Sequence, residues 1–140
     1  MIKSVVVDAS ILLKLFSREK ESLVKETERF CSLIKLGKIQ AFAPTFILVE
    51  MLNVLSITKR FTEEGVNNSL ERVKRLGVTF TDLNIADTDK LTDLCFRHNL
   101  TAYDALYLLL AMSLGLRVVT EDKKLLKIKE HCVGLKSLKL

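Results

Sequence analysis

Four acidic residues, Asp8, Glu50, Asp104 and Asp122, carry the chemistry of this 140-residue chain. Asp8 ends the run Ser4-Val5-Val6-Val7, and its ordinary role would be to cap the helix that follows. Glu50 lies in Phe46-Ile47-Leu48-Val49-Glu50-Met51-Leu52, roughly 100° on a helical wheel from the stripe of Thr45, Asn53, Ser56 and Arg60. A carboxylate on a largely apolar face is costly unless it is paired or bound to a metal. Asp104, in Thr101-Ala102-Tyr103-Asp104, fits a capping box, and Asp122, beside Glu121, fits the acidic first turn of a helix. Each acid has a structural explanation of its own, but only convergence on one site explains their placement together. Converging carboxylates repel unless protonated or neutralised by a cation. Hard oxygen donors without a His or Cys cluster favour Mg²⁺ or Mn²⁺ over zinc. The chemistry that such a site supports is metal-assisted attack of water on a phosphodiester.

The elements that must position these acids alternate between strand and helix. Ile2 and the three valines read as a strand buried on both faces, as in a parallel sheet. Ile11, Leu12, Leu15 and Phe16 recur at helical spacing, with Lys14 and Arg18 between them. A charged stretch over 17–28 precedes a second helix through Phe30, Leu33, Ile34 and Leu36, closed by Gly37. Residues 39–43 predict a second strand, and Pro44-Thr45 opens a third helix to about Arg60. Thr62-Glu63-Glu64 starts a fourth helix that ends at Leu76-Gly77. Residues 78–83 predict a strand. A fifth helix starts at Asn84 or Asp87 and runs to His98, and a sixth, strongly apolar one runs from Thr101 to Leu114-Gly115. Residues 116–119 predict a strand, 122–129 a short basic helix and 132–135 a final strand. This alternation implies one domain over residues 1–140, an α/β fold with a parallel sheet and helices on both faces. In such sheets ligands bind beyond the carboxyl ends of the strands, where Asp8 and Asp122 fall.

Composition narrows the function classes. The chain is 49% hydrophobic with one Pro and five Gly, which argues against a disordered or loop-rich protein. The formal net charge of +5 favours a polyanionic partner over a cationic one. Cys31, Cys95 and Cys132 are odd in number and widely spaced, with no CxxC, and read as reduced residues of a cytoplasmic protein. His98 and His131 have no partner at ligand spacing and read as surface or helix-end residues. No apolar run is long enough to span a bilayer and no signal peptide opens the chain.

Val6-Val7-Asp8-Ala9-Ser10, a lone Glu50 in an apolar helix, Tyr103-Asp104-Ala105-Leu106 and Val118-Val119-Thr120-Glu121-Asp122 together resemble the PIN domain family, and the chain's size resembles its VapC-type toxins. The resemblance implies a three-layer α/β/α sandwich with a five-stranded parallel sheet and a Mg²⁺- or Mn²⁺-dependent ribonuclease. It makes Asp8, Glu50, Asp104 and Asp122 the metal-binding and catalytic quartet, Ser10 the hydroxyl supporting the first acid and Thr120 that of the Thr-x-Asp motif. Ala9 departs from a frequent Thr, and Glu121 competes with Asp122 to face the metal. The resemblance also implies an RNA substrate, a cognate antitoxin protein laid into a groove between the early helices, and a homodimer. Ile11, Leu12, Leu15, Phe16 and residues 46–55 offer apolar surface for that groove. Lys123, Lys124, Lys127 and Lys129, just past Asp122, are candidates for contacts to RNA phosphates.

Other phosphate-handling folds fit less well. Ser10 stands where an Asp-x-Asp phosphotransferase needs its second acid, and a receiver domain needs adjacent acids after the first strand. The alternatives kept open are a PIN-like RNA-processing nuclease and a catalytically silent module that binds RNA or protein.

Overall fold

The computed structural model describes residues 3–16 and 22–140; Ile2 and residues 17–21 of the charged stretch, Arg18 among them, lie outside the described residues. Strand β1 spans Lys3–Val7. Its consecutive side chains point to opposite faces, and Val5, Val6 and Val7 are 3%, 0% and 0% exposed, so both faces of the sheet are covered there. Burying each valine contributes about 1.5–3 kcal/mol. Strand β2 (Ile39–Pro44) and strand β3 (Thr79–Thr81) extend the sheet on one side of β1, and strands β4 (Val118–Val119) and β5 (Cys132–Val133) on the other. The order is β3-β2-β1-β4-β5 and every pairing is parallel, with Val5 opposite Ala41 and Val6 opposite Val118. The fold is therefore the five-stranded parallel α/β/α arrangement expected.

The chain winds outward from β1 to β3 and returns to β4 on the far side of β1. The carboxyl ends of β1 and β4 thus flank the point where the winding reverses, which opens a crevice in sheets of this type. The Asp8 N–H donates to the Val119 carbonyl at 3.1 Å, carrying the ladder one residue past β1.

Among the described residues, seven α-helices connect or flank the strands: α1 (Ala9–Leu12), α2 (Val24–Lys35), α3 (Phe46–Asn53), α4 (Glu63–Lys74), α5 (Thr88–His98), α6 (Ala102–Leu114) and α7 (Lys123–Leu126). Helix α6 packs across β1, β2 and β4, and α5 packs on α6. Thr62 caps α4 through the Gly65 N–H at 3.1 Å, and Thr101 caps α6 through the Asp104 N–H at 3.2 Å. Gly37 (φ +74°) closes α2 in the left-handed conformation, with its N–H on the Ile34 carbonyl and that of Lys38 on the Leu33 carbonyl.

Several boundaries differ from expectation for local reasons. Helix α1 is a single turn that tightens into a 3₁₀ turn over Leu13–Leu15. Lys14, expected between the apolar positions, is itself buried. Helix α2 begins inside the charged stretch because Thr27, Phe30, Cys31 and Ile34 already form one buried face there. Pro44 closes β2 instead of opening α3. Helix α3 does not run on as an α-helix to Arg60 but passes into a π-helical turn over Val54–Thr58. The Ser56 hydroxyl donates to the Leu52 carbonyl at 2.7 Å, competing with the backbone where the ladder lengthens. Both candidate starts of the fifth helix are used: Asn84 caps a 3₁₀ turn over Ile85–Asp87 and α5 follows at once. Helix α7 is half the expected length, and β5 gives way after Val133 to a 3₁₀ turn over Leu135–Ser137.

Cys31 and Cys132 are buried, and Cys95 is half-buried. Among the described residues no helix is long and apolar enough to cross a membrane.

Candidate active site

Asp8 is 3% exposed at the mouth of the β1/β4 crevice. It occupies the position before α1 but makes no side-chain cap there. Its Oδ2 instead accepts two hydroxyl protons, from Ser10 at 2.7 Å and from Thr120 at 2.6 Å. The same two hydroxyls receive backbone N–H groups from the loop after β4: Glu121 donates to Ser10 at 3.1 Å and Asp122 to Thr120 at 2.9 Å. The two hydroxyls, which also lie 3.4 Å from each other, thus tie Asp8 to the loop that carries Asp122. Burial pushes the Asp8 carboxyl up from the usual 3.8 to about 6; the hydroxyls pull it down, and the charges of Asp104 and Asp122 push it further up.

Glu50 projects from α3 half-buried, and its Oε1 accepts a 2.7 Å hydrogen bond from the phenol of Tyr107 on α6. Burial pushes its carboxyl up from 4.5 to about 7, opposed by the Tyr107 bond and reinforced by the charges of Asp8, Asp104 and Asp122. Asp104, in the first turn of α6, is half-buried and also titrates above its usual range. Burial is the main cause and Asp122 the second; the Thr101 hydroxyl and the Lys124 ammonium act against them. Asp122 caps α7 by accepting the Leu125 N–H on Oδ2 at 3.0 Å.

The structure separates the two adjacent acids. The Glu121 Oε2 accepts the Leu135 N–H at 2.7 Å, across the end of β5, whereas Asp122 is the one whose charge reaches Asp8, Glu50 and Asp104. All four carboxylates of the quartet thus share one electrostatic field. They converge without meeting: among the described residues no group of three or more His, Cys, Asp or Glu side chains is close enough to hold a metal ion. Asp8, Glu50 and Asp122 are each tied to donors of the protein itself. In donor type the set suits a hard cation, and its mutual repulsion is the charge such an ion would offset.

Tyr107 was not legible as a site residue in the sequence, where it reads as one more apolar position of α6. It is fully buried, and burial with the charges of Asp8 and Glu50 drives its phenol well above the usual value, while the Ala9 N–H pulls the other way. The phenol joins the Ala9 backbone after β1 to the carboxylate on α3. A buried phenol needs a partner, and that requirement is the signal that could have identified it. Tyr107→Phe is expected to cost about 1.5–3 kcal/mol of stability, because it strips a carboxylate of its buried donor. Chemical denaturation of the two proteins checks this, and equal midpoints and slopes would contradict it.

Of the apolar residues expected to line a partner groove, the core takes half: Ile11, Leu12, Leu15, Ile47, Met51 and Leu55 are buried. Val49 and Leu52 remain exposed on α3. The lysines past Asp122 divide: Lys124, Lys127 and Lys129 line a cleft facing the end of α5, and Lys123 does not.

A family model described as the PIN domain matches residues 5–131. No curated protein matches the chain. Among solved structures, the chain is similar to PAE2754 from Pyrobaculum aerophilum, with 23% identity, a TM-score of 0.68, and 96% of this chain covering 90% of that one. It is also similar to VapC20 of Mycobacterium tuberculosis, described as a toxin that cleaves the sarcin–ricin loop, with 13% identity, a TM-score of 0.70, and 89% of this chain covering 94% of that one. At these identities the two structures support the fold.

Proposed function

The chain belongs to the PIN domain family, and we propose that it is a Mg²⁺- or Mn²⁺-dependent ribonuclease, the toxin of a VapBC-type toxin–antitoxin pair. PIN domains are generally nucleases, and the likeness to the VapC20 toxin supports the narrower reading. The observation that carries it is the shared field of Asp8, Glu50, Asp104 and Asp122 at the β1/β4 crevice.

In this reading Asp8 and Asp104 would hold the principal metal, and Glu50 and Asp122 would complete the site or orient the water. Such an ion, when bound, would supply a more acidic water and offset charge on the phosphate and leaving oxygen. The chain's own residues do the rest. Ser10 and Thr120 fix the rotamer of Asp8, so the free oxygen Oδ1 is the one directed at a ligand. Tyr107 holds Glu50 on one side through Oε1 and leaves Oε2 to accept a proton. The proposal includes the cognate antitoxin and a homodimer, for which Val49 and Leu52 supply exposed apolar surface, and a cytoplasmic location.

The two acids after Thr120 give a test with opposite outcomes. Asn caps helices as well as Asp does, so Asp122→Asn keeps α7 and removes only the charge; RNA cleavage is expected to fall by about 10²-fold or more, the scale of losing one charged group from such a site. Glu121→Gln keeps an oxygen for the Leu135 N–H and is expected to leave cleavage within a few-fold of wild type. Reversed effects in a gel-based cleavage assay would assign the site to Glu121.

The spacing of the carboxylates favours one alternative, a catalytically silent module that binds RNA or protein. Such a module takes up no metal and keeps its partner in Asp8→Asn.

A further inference from the structure

A cleft of about 650 Å³ lies between the C-terminal turn of α5 and the segment running from α7 to β5. Four cationic side chains line it: Arg97 from α5, and Lys124, Lys127 and Lys129 from the opposite wall. Two acids, Asp93 and Glu130, also line it; Asp93 and Arg97 pair with each other one helical turn apart at 3.1 Å, so the excess positive charge comes from the three lysines against Glu130. His98 and His131 face the cleft from its two walls and can serve as neutral or charged donors to an anion. The walls are fixed. Arg117 donates to the carbonyls of Lys129 and Cys132 at 3.1 and 3.0 Å, and the His131 and Cys132 N–H groups both return to the Ile128 carbonyl. Asn99, in the left-handed conformation, ends α5 and sends the Leu100 N–H back to Cys95.

The cleft and the carboxylate site share one short helix. Asp122 caps α7 by accepting the Leu125 N–H at 3.0 Å, and Lys124, in the single turn of that helix, lines the cleft. Helix α7 therefore has Asp122 at its start, among the acids, and Lys124 in the cleft, with Lys127 and Lys129 following just past its end. A cationic trough that opens beside a repelling acidic centre fits a chain that is polyanionic along its length: one phosphate meets the carboxylates while its neighbours are neutralised next door.

We propose that this cleft binds the backbone phosphates of single-stranded RNA flanking the scissile one, with Lys124, Lys127 and Lys129 as the phosphate contacts and Arg97, His98 and His131 as further donors. The inference rests on the ribonuclease reading of the carboxylate site and adds the path of the substrate away from it.

The test uses the full chain, a fluorescein-labelled single-stranded RNA, and Lys127→Glu/Lys129→Glu beside a control of equal charge change away from the cleft, Lys38→Glu/Lys136→Glu. Binding is measured by anisotropy over a range of salt, and cleavage is measured with Mn²⁺. All the mutated lysines are exposed, and circular dichroism checks the fold of each variant. The cleft variant is expected to bind ~10-fold or more weakly at low salt, with a log–log salt slope smaller by about 1.4, the value for two single-strand phosphate contacts. The control is expected to stay close to wild type. Equal affinity and slope in the cleft variant and wild type, with cleavage intact, would overturn the cleft and leave the nuclease standing. Equal losses in both variants would overturn it in favour of a net-charge effect. Cleft-dependent binding without cleavage in any sample would support the cleft as an RNA site while removing the nuclease reading. A cleft variant that keeps RNA affinity but loses a protein partner would overturn the RNA assignment.

Discussion

Asp8→Asn is expected to be more stable than wild type without metal at neutral pH, while cleaving no RNA. The Asp8 carboxyl is nearly fully buried and titrates at about 6, against the ordinary 3.8. A carboxyl raised on folding binds its proton more tightly in the native state, so its favourable contribution is complete below 3.8 and is lost as pH rises through about 6. Above that window the ionised group costs about 3 kcal/mol, at 1.36 kcal/mol for each unit of pKa difference. Asparagine avoids that cost, and it keeps the local network, since Ser10 and Thr120 both donate to the single oxygen Oδ2. The variant's advantage should approach about 3 kcal/mol at pH 7.5 and vanish near pH 4. Urea unfolding in a chelator at the two pH values checks this. A variant less stable than wild type at pH 7.5 would show that the carboxylate is held by more than its hydroxyls.

The second large effect is the reverse one, produced by metal. An ion that binds only the folded protein stabilises it by about 2.7 kcal/mol at a hundredfold excess over its Kd. Millimolar Mn²⁺ is therefore expected to raise the wild-type Tm by several degrees, and to leave Asp8→Asn nearly unmoved. The gain should depend on pH. Metal binds the deprotonated carboxylates, and the protons it must displace are those of Asp8, at about 6, and Glu50, at about 7. The Mn²⁺-induced shift should thus be large at pH 8 and shrink as pH falls through 7 and 6. A shift of equal size in both proteins would place the ion elsewhere.

Much of this site is written in local sequence, because strand ends and helix starts are local. Three valines followed by Asp8, and Val118-Val119 followed by Thr120-Glu121-Asp122, place three of the participants at the β1/β4 crevice once the sheet is parallel. Glu50 stood out because an acid on an apolar helix face needs a reason. What the sequence withheld depends on contacts between distant segments. The motif spacing points to Asp122, but the partner of Glu121, the Leu135 N–H, arrives from beyond β5. Tyr107 reaches Glu50 across 57 residues, and nothing near it in sequence marks its hydroxyl as different from the leucines beside it. The two histidines read singly as helix-end residues; only the fold puts them on facing walls with the lysines. The lengthened turn after Asn53 likewise escapes an apolar pattern that continues through it.

The central claim is that Asp8 belongs to a metal-dependent ribonuclease site, and cleavage of a labelled RNA in Mn²⁺ or Mg²⁺ tests it most directly. Wild type, wild type with excess chelator, and Asp8→Asn are compared, with folding of each confirmed. The account predicts cleavage by the wild type alone. Cleavage that persists in Asp8→Asn, or that ignores the chelator, would contradict it.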